Sequence, residues 1–482
     1  MFQRKTLALL VSGALAMLAN GANAATHFSN FTPLAASAGV TANEAAPITL
    51  SSSNFSQLTI ADRATQNTRV PGSNSGNWDM IDADASGRYL FMPFETGTAG
   101  VMRIDLHDPN YATRAVTIVA PGTQGFVAGD ASRTTPWGGY LTGEESWGSN
   151  STNGRLFEVT NPTTAAANGG NFVQRNVIPR VSHEGLAFDS ARSLYFVDEL
   201  NGGSVYKYVS ANPNATTGDQ YFNKGQTFAL KVGAGGQFEG NNGPAITGMA
   251  TWEAITTTSG TVTATTFASM INLGGGNFAV DGRTAADAVG ATGFNRPEDM
   301  ELQTIGGKER LYFATTDSDT NANTADGRSR VYNLDLATGE LKVFADASTI
   351  DLATGLAVGG ALRNADNVAI DADGNVYIVE DRDGGIDDDI WFAKDINKDG
   401  DLLDAGEGIG RWASNGTAGS EFTGLYFDKN DPNKAYVNIQ HPGSGVDRTI
   451  QITAVPEPET YAMMGLGLGL MALLRNRRRT SR

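Results

Sequence analysis

Short runs of alternating apolar and polar residues, separated by Gly, Asn and Asp, follow one another along most of the chain. Few windows place apolar residues at the three- and four-residue spacing of a helix. The chain also contains 58 glycines and many threonines and serines, a composition that is typical of strands joined by tight turns. The pattern therefore predicts an all-β protein.

A unit of two strands recurs within this pattern. A polar residue opens a first apolar strand, a turn containing Asp or Gly follows, and the second strand carries an aromatic residue; a sixth candidate, residues 138–145, keeps only the second strand. Hairpins that cannot bury their own faces must stack on their neighbours, which indicates a propeller or a solenoid. Five or six units favour a six-bladed β-propeller with loop insertions, and a two-sheet sandwich is the alternative. The five complete units open at Asp79, Glu184, Glu298, Asp366 and Thr423.

The N-terminus has the pattern of a secretory signal. Arg4 and Lys5 precede a mostly apolar stretch, and residues 22–24 (Ala-Asn-Ala) give the small-x-small pattern that signal peptidase accepts. A retained membrane helix is the alternative, but the apolar run is short for one. We predict a signal peptide over residues 1–24.

The C-terminus combines three parts: residues 455–458 (Val-Pro-Glu-Pro), an apolar stretch over 461–474, and a closing arginine cluster. An apolar segment capped by arginines stops in a membrane with the arginines on the cytoplasmic side. This ending resembles the PEP-CTERM sorting tail of Gram-negative bacteria. The resemblance implies a protein exported to the cell envelope or beyond. Residues 454–482 would anchor it transiently until a sorting peptidase removes them, and they would be its only membrane contact. It also implies association with exopolysaccharide.

Residues 25–453 remain between the two ends, and we predict that they form one propeller domain. The formal net charge is -17, and because both ends carry positive charge, the body is more acidic still. Such a surface repels nucleic acid and attracts divalent cations. We therefore expect no nucleic-acid partner.

The chain has no cysteine and only four histidines. Disulfides, thiolate metal sites and a cysteine nucleophile are therefore excluded. The histidines are scattered, which gives a zinc site little support. Any bound metal would sit mainly on oxygen ligands, which favours hard cations such as calcium.

Acids open the first strand in four of the five complete units: Asp79, Glu184, Glu298 and Asp366. In a propeller, equivalent positions at the entrance of the inner strands converge on the central axis. Carboxylates held close together raise one another's pKa unless a cation neutralises them. We predict that the ring binds one or more divalent ions; the alternative is that these acids are solvated loop ends or turn caps.

Three neighbourhoods add chemistry to the ring. Glu144 and Glu145 end a strand, and because adjacent strand residues face opposite ways, only one can point to the axis unless a bulge intervenes. Arg296 lies beside Glu298, where a guanidinium next to metals suits an oxyanion such as phosphate, or forms a structural ion pair. His183 precedes Glu184 and is a candidate metal ligand or proton donor, or an ordinary turn histidine.

A separate acidic loop follows residue 394. Its oxygen-bearing side chains occupy positions 1, 3, 5 and 7, and Gly400 occupies position 6, as in the first half of an EF-hand calcium loop. The usual Glu at position 12 is Gly406, with Glu407 one residue later. We predict an atypical, structural calcium site. Its ligands would be Asp395, Asn397, Asp399 and Asp401.

Four motifs follow one another along the chain: residues 135–145 (Thr-Pro-Trp-Gly-Gly-Tyr-Leu-Thr-Gly-Glu-Glu), 182–184 (Ser-His-Glu), 296–298 (Arg-Pro-Glu) and 366–371 (Asp-Asn-Val-Ala-Ile-Asp). In this order they resemble the PhoX-type alkaline phosphatases, a family of secreted propellers. The resemblance spans most of residues 75–430 and implies phosphoester hydrolysis at calcium and iron ions on the propeller axis. It implies that the glutamates bind the metals and that Arg296 contacts phosphate.

One position departs from that family. The residue before the glutamate pair is typically an iron-binding Cys, and here it is Gly143. An oxygen-only site prefers calcium to iron or another softer divalent metal. The sequence leaves open a metal-dependent phosphatase acting on small phosphoesters, a non-catalytic calcium-binding surface or exopolysaccharide-associated propeller, and a lactonase-like hydrolase.

Overall fold

The structure is a computed structural model that describes residues 27–69, 72, 74–148, 151–240, 243–259, 269–316, 329–381 and 388–455. The predicted signal peptide and all of the predicted tail except residues 454 and 455 lie outside these ranges. The first two strands are β1 (Ile48–Leu50) and β2 (Phe55–Asp62).

The remaining described strands form antiparallel runs, which we call blades. Blade 1 contains β3 (Asp82–Ala83), β4 (Tyr89–Pro93), β5 (Val101–Asp105) and β6 (Ala115–Val119). Blade 2 contains β7 (Gly129–Thr134), β8 (Tyr140–Glu144), β9 (Leu156–Val159) and β10 (Phe172–Gln174). Blade 3 contains β11 (Leu186–Phe188), β12 (Leu194–Val197), β13 (Val205–Ser210) and β14 (Gly225–Val232). An insertion follows with β15 (Gly248–Ala254), β16 (Met270–Gly274) and β17 (Asn277–Val280).

The second half of the chain continues the pattern. Blade 4 contains β18 (Pro297–Ile305), β19 (Lys308–Thr315), β20 (Arg330–Asp335) and β21 (Glu340–Ala345). Blade 5 contains β22 (Ala365–Ile370), β23 (Val376–Glu380), β24 (Asp388–Lys394) and β25 (Gly408–Asn415). Blade 6 contains β26 (Glu421–Phe427), β27 (Lys434–Gln440) and β28 (Arg448–Ala454). The helices are α1 (Arg63–Arg69), α2 (Gly218–Tyr221) and α3 (Gly282–Ala288), with 3-10 turns at Thr123–Gly125 and Gly359–Ala361.

The N-terminal strand β2 completes blade 6. It pairs antiparallel with β28, from Phe55 opposite Ala454 to Asp62 opposite Arg448, so the two ends of the body share one sheet. β1 adds a fifth strand to blade 5, and β15 joins blades 3 and 4 by pairing with β14 and β21. This closure removes the free edge that an open ring of blades would expose.

Six clusters of buried apolar side chains fill the space between consecutive blades, including the contact of blade 6 with blade 1. Trp78 of the segment before blade 1 packs with Tyr426 of blade 6, for example. A sandwich would have one core between two sheets, whereas here each blade buries both faces against two neighbours. The all-β propeller predicted from the repeat is confirmed.

The recurring Asp turn and the aromatic of the second strand serve one purpose. In three blades a buried tyrosine on the second strand donates its hydroxyl to the turn aspartate, which fixes the hairpin and satisfies the phenol. The turn carboxylates also accept main-chain N–H groups, as Asp371 does from Asn375 at 2.9 Å. The pairs are Tyr195 with Asp189, Tyr377 with Asp371, and Tyr436 with Asp428.

The first strands of the blades contact one another around the axis. Gly424 donates its N–H to the Asn367 side chain at 2.7 Å, and a Cβ at Gly424 would lie 2.8 Å from Met80 Cα. Because its φ is also +60°, only glycine suits this position. The residues that open these strands are thereby held close together.

Candidate metal centre on the propeller axis

The inner strands surround a cavity of about 630 Å³ at one end of the axis. Its only basic side chains among the described lining residues are Arg296 and His441. The other charged groups are all acidic, so the cavity is strongly negative before any ion binds. The acids are Asp79, Glu95, Asp130, Glu145, Glu184, Glu199, Glu298, Asp366, Asp381 and Glu421.

The structure brings together the four acids predicted to open the first strands, and Thr423 lies with them. A second set of acids lies one or two residues after the ends of the second strands: Glu95, Glu145, Glu199 and Asp381. The start of one strand and the end of its antiparallel partner lie at the same edge of a hairpin. Blades 1, 2, 3 and 5 therefore each supply acids to the cavity from both of these strands.

Backbone strain and bulges aim these side chains. Asn77, Arg296 and Asn364, each two residues before a ring acid, have φ values of +46°, +45° and +41°, which non-glycine residues rarely adopt. The first hairpins of blades 2, 4, 5 and 6 each contain a register shift at the cavity acid or just after it. Bulges at a rim redirect side chains in this way, and such strain is found at functional sites.

Two groups of three carboxylates have the geometry of cation sites. In each group one oxygen per residue lies within 4.8 Å of the others, and Glu184 belongs to both. Glu184 is therefore placed to bridge two adjacent ions. The groups are Asp130, Glu145 and Glu184, and Glu184, Glu199 and Glu298.

Burial and mutual repulsion make it unfavourable for all of these carboxyl groups to be ionised when no cation is bound. Burial, followed by the charge of Asp130, raises the pKa of Glu184 well above its usual range. Burial also raises the pKa of Glu145 and of Asp366, with further increases from neighbouring carboxylates. The metal-free cavity must therefore hold protons that divalent cations would replace.

Arg296 lies at the edge of the second trio. Its guanidinium donates to Glu199 at 2.5 Å and lies 3.4 Å from Glu298. Burial disfavours the cation, but the charges of Glu298 and Glu199 outweigh it and raise the pKa of Arg296. Its Cζ also lies 5.6 Å from the centre of the Trp147 ring. A permanent cation is thus held against the carboxylates at the cavity wall.

Glu144 and His183, both proposed from the sequence, do not line the cavity. Glu144 is buried, pairs with Arg155 and accepts the Arg155 main-chain N–H at 3.1 Å, so Glu145 is the member of the pair that faces the axis. His183 is fully buried, and neither ring nitrogen has a hydrogen-bond partner among the described residues. Burial, with the charge of Arg180, lowers the pKa of His183 to about 3, so the imidazole is neutral.

The cavity histidine is instead His441, which sequence reasoning did not select. Its Nδ1 lies 3.1 Å from the Gly419 carbonyl oxygen and its Nε2 lies 2.8 Å from Glu421 Oε1. A carbonyl only accepts, so Nδ1 is the donor in the first contact. Burial raises the pKa of Glu421 well above its usual range, so its carboxyl group can share a proton with Nε2. Nearby, burial raises the pKa of Glu95 to about 7. This wall of the cavity can hold and release protons.

The predicted calcium loop lies apart from the axis, between β24 and β25. Gly400 has a φ of +89°, as the sharp turn at position 6 requires. The loop is tied to blade 4 through Asn333, which donates to the Gly400 carbonyl at 2.6 Å. The four predicted ligands accept main-chain N–H groups within the loop, and their metal binding stays a prediction.

A regular signal in the sequence marks the cavity acids that do not open a first strand. Glu95, Glu199 and Asp381 each stand one or two residues after the second strand of a unit, as Glu145 does. Asp130 was missed for another reason, because β7 reads Gly-Asp-Ala-Ser-Arg-Thr and lacks the alternation that marks a strand.

Comparison with known proteins extends these observations. The family model "Alkaline phosphatase PhoX" matches residues 123–443, and the PEP-CTERM protein-sorting motif matches residues 454–479. Among solved structures, Pseudomonas fluorescens PhoX in complex with vanadate aligns with a TM-score of 0.60 and 16% identity, over 88% of this chain and 98% of that one. A Bacteroides thetaiotaomicron protein of unknown function aligns with a TM-score of 0.40 and 13% identity, over 83% of this chain and 76% of that one.

No curated protein matches the chain. No helix in the described ranges is long and apolar enough to cross a membrane. The sorting motif indicates an exported protein with a C-terminal sorting tail, as the sequence predicted.

Proposed function

The chain belongs to the alkaline phosphatase PhoX family, and from this premise we propose that it hydrolyses phosphomonoesters in the axial cavity with the two carboxylate trios as its metal ligands. The observation that carries the proposal is the shared Glu184, which places two trios side by side with Arg296 bonded to the second one. Two adjacent cations and one fixed guanidinium suit a phosphoryl group, whose oxygens carry the charge in the transition state.

The donor set fits hard divalent cations. All five trio residues supply carboxylate oxygen, which calcium prefers. Burial raises the pKa values of four of them, Asp130, Glu145, Glu184 and Glu298, and divalent cations would neutralise this crowded charge. When bound, divalent cations would polarise the phosphoryl oxygens and lower the pKa of a bound water. Iron held by thiolate does not fit, because residue 143 is glycine and the chain has no cysteine. We propose calcium at both trios.

The chain's own residues would orient and protonate the substrate. Arg296 Nη2, held by Glu199, would bond a phosphoryl oxygen as charge grows on it. The proton between His441 Nε2 and Glu421 lies on the cavity wall, where it would reach the leaving alcohol oxygen. General-acid assistance of this kind typically contributes about 100- to 10,000-fold. His441 thus takes the role that the sequence suggested for His183.

The test uses the purified exported protein, 4-nitrophenyl phosphate, and calcium with or without a chelator. We expect turnover that is lost with chelator, restored by calcium, and reduced about 100- to 1,000-fold by Arg296→Ala, the range for removing one oxyanion donor. Arg88→Ala is the matched control, because Arg88 lies outside the cavity, where it pairs with Asp105 at the surface and lies over the Tyr89 ring. A surface ion pair of this kind contributes little to stability. Turnover unaffected by chelator, or by Arg296→Ala, would contradict the proposal.

Inhibition provides a second measurement. The P. fluorescens structure contains vanadate, described there as a transition state analogue. We expect vanadate to inhibit this protein competitively with an inhibition constant well below KM, because a site complementary to the transition state binds its analogues more tightly than the substrate. Absence of both turnover and vanadate binding would favour the calcium-binding surface protein, and its exopolysaccharide association remains a prediction from the tail.

A further inference from the structure

Trp147 is the only apolar side chain among the described residues that line the axial cavity; the others are acidic, basic, amide or hydroxyl residues. It directly follows the Glu145 segment, and 52% of its surface is exposed. An indole that is half exposed at the mouth of a charged cavity has no core to pack into. Aromatic side chains that line a pocket beside polar groups are the ones that contact the organic part of a ligand.

The indole is fixed in place before any ligand arrives. Its Nε1 donates to Glu199 Oε2 at 2.6 Å, and the Arg296 guanidinium covers one face of the ring. The main chain is held as well, because Arg283 donates to the Trp147 carbonyl at 3.2 Å. A preordered aromatic ring loses little entropy when a ligand stacks on it.

We infer that Trp147 is a stacking platform for a flat ring in the alcohol part of the substrate, and that the substrate class is ring-bearing phosphomonoesters such as nucleoside monophosphates and aryl phosphates. The inference rests on the proposed function, because Arg296 is taken to hold the phosphoryl group. Trp147 and Arg296 are in contact, so an ester bound at Arg296 brings its organic part to the exposed indole.

The test compares adenosine 5′-monophosphate, 4-nitrophenyl phosphate and glycerol 3-phosphate in the wild type, Trp147→Ala and Trp147→Phe. Stacking of one base on one aromatic ring corresponds to about a five- to 150-fold change in affinity. We expect Trp147→Ala to raise KM in this range for the two ring-bearing esters, with kcat preserved and glycerol 3-phosphate unaffected. Trp147→Phe should largely restore KM, because it keeps a ring and loses only the Nε1 bond to Glu199.

An equal loss on all three esters, or a Phe variant as impaired as the Ala variant, would overturn the inference and make Trp147 a positioning residue for Glu199. Equilibrium dialysis of adenosine supplies a readout that does not depend on turnover. We expect retention by the calcium-loaded wild type and by Trp252→Phe, which lies outside the cavity, and loss in Trp147→Ala. If the wild type hydrolyses no ester, the proposed function fails, while adenosine retention still decides whether residue 147 is a platform.

Discussion

Gly143 cannot accept a side chain while His183 stays in place. A Cβ added at residue 143 would lie well inside van der Waals contact of the His183 Cβ and 2.8 Å from its Cγ. The two segments are also joined by the His183 N–H, which donates to the Glu144 carbonyl at 3.0 Å. The Cβ of His183 is fixed to this backbone, so rotation of the imidazole does not relieve the collision. We expect Gly143→Ala to destabilise the fold.

The expected loss of folding free energy in Gly143→Ala follows from the packing around residue 143. Overpacking a close-packed core typically costs about 1–3 kcal/mol, and both residues are buried, so no movement toward solvent relieves the strain. His183→Gly removes the opposing Cβ and also costs stability by leaving a cavity. Combined with Gly143→Ala, it should cost less than the sum of the single changes, with a coupling of about 1–2 kcal/mol.

The assay is the free energy of unfolding from chemical denaturation at saturating calcium, in a four-member mutant cycle. Gly97→Ala is the matched control, because no atom lies within 4 Å of a Cβ at that exposed position and its φ is not positive. A Gly143→Ala protein as stable as the wild type, or strictly additive effects in the cycle, would refute the packing argument. If the argument holds, Gly143→Cys alone does not recreate the family's iron ligand, because the thiol cannot be seated without displacing His183.

Three further predictions concern the charged sites. Glu184→Gln should lower the calcium-dependent gain in Tm far more than Asp366→Asn, because Glu184 serves both trios, and equal effects would argue against a shared ligand. Burial raises the pKa of Glu95 from 4.5 to about 7, and a raised folded-state pKa gives stability that is complete below about pH 4.5 and lost as pH rises through 7. Calcium-free protein should therefore unfold more easily at pH 8 than at pH 5, a difference that calcium should abolish; a flat pH profile in chelator would contradict this. Asp395→Asn with Asp399→Asn should remove one calcium per chain by elemental analysis and leave phosphatase turnover unchanged, whereas loss of turnover would tie the loop to the cavity.

The fold could be predicted from the sequence because the repeated hairpin cannot be stable alone. Hairpins with two apolar faces have to stack, and the Asp turn with its tyrosine partner, as in Asp371 and Tyr377, recurs as a readable motif. Blade 2 shows the limit of this signal. Its first strand, β7, is buried although its sequence is polar, because Asp130 belongs to the cavity and Thr134 donates to Asp82. The alternation of apolar and polar residues is therefore lost in a strand whose polar side chains form part of a functional site.

Only part of the candidate site could be predicted from the sequence, because only some of its acids occupy a position that aligns between units. Acids that open first strands align in the sequence, so Glu184 and Glu298 could be placed on the axis. Glu199 is harder to place, because it lies in a loop after a strand, where an acid usually contacts solvent, and only its recurrence in other units marks it. Only the antiparallel hairpin brings the end of the second strand back to the start of the first. The direction of a side chain could not be predicted either. Nothing in the sequence around His183 and His441 shows that packing buries His183 and directs His441 into the cavity.

The composition of the cavity connects its chemistry to the export of the chain. Ten carboxyl groups face a cavity of about 630 Å³ in a chain that already carries a net charge of -17, so without cations the folded state retains protons or suffers repulsion. A ligand that binds only the folded state stabilises it in proportion to the logarithm of its concentration. Calcium is abundant outside cells, so the same ions that would assist phosphoryl transfer would also stabilise the propeller where the sorting tail sends it. The absence of cysteine fits this arrangement, since oxygen ligands alone suffice for calcium.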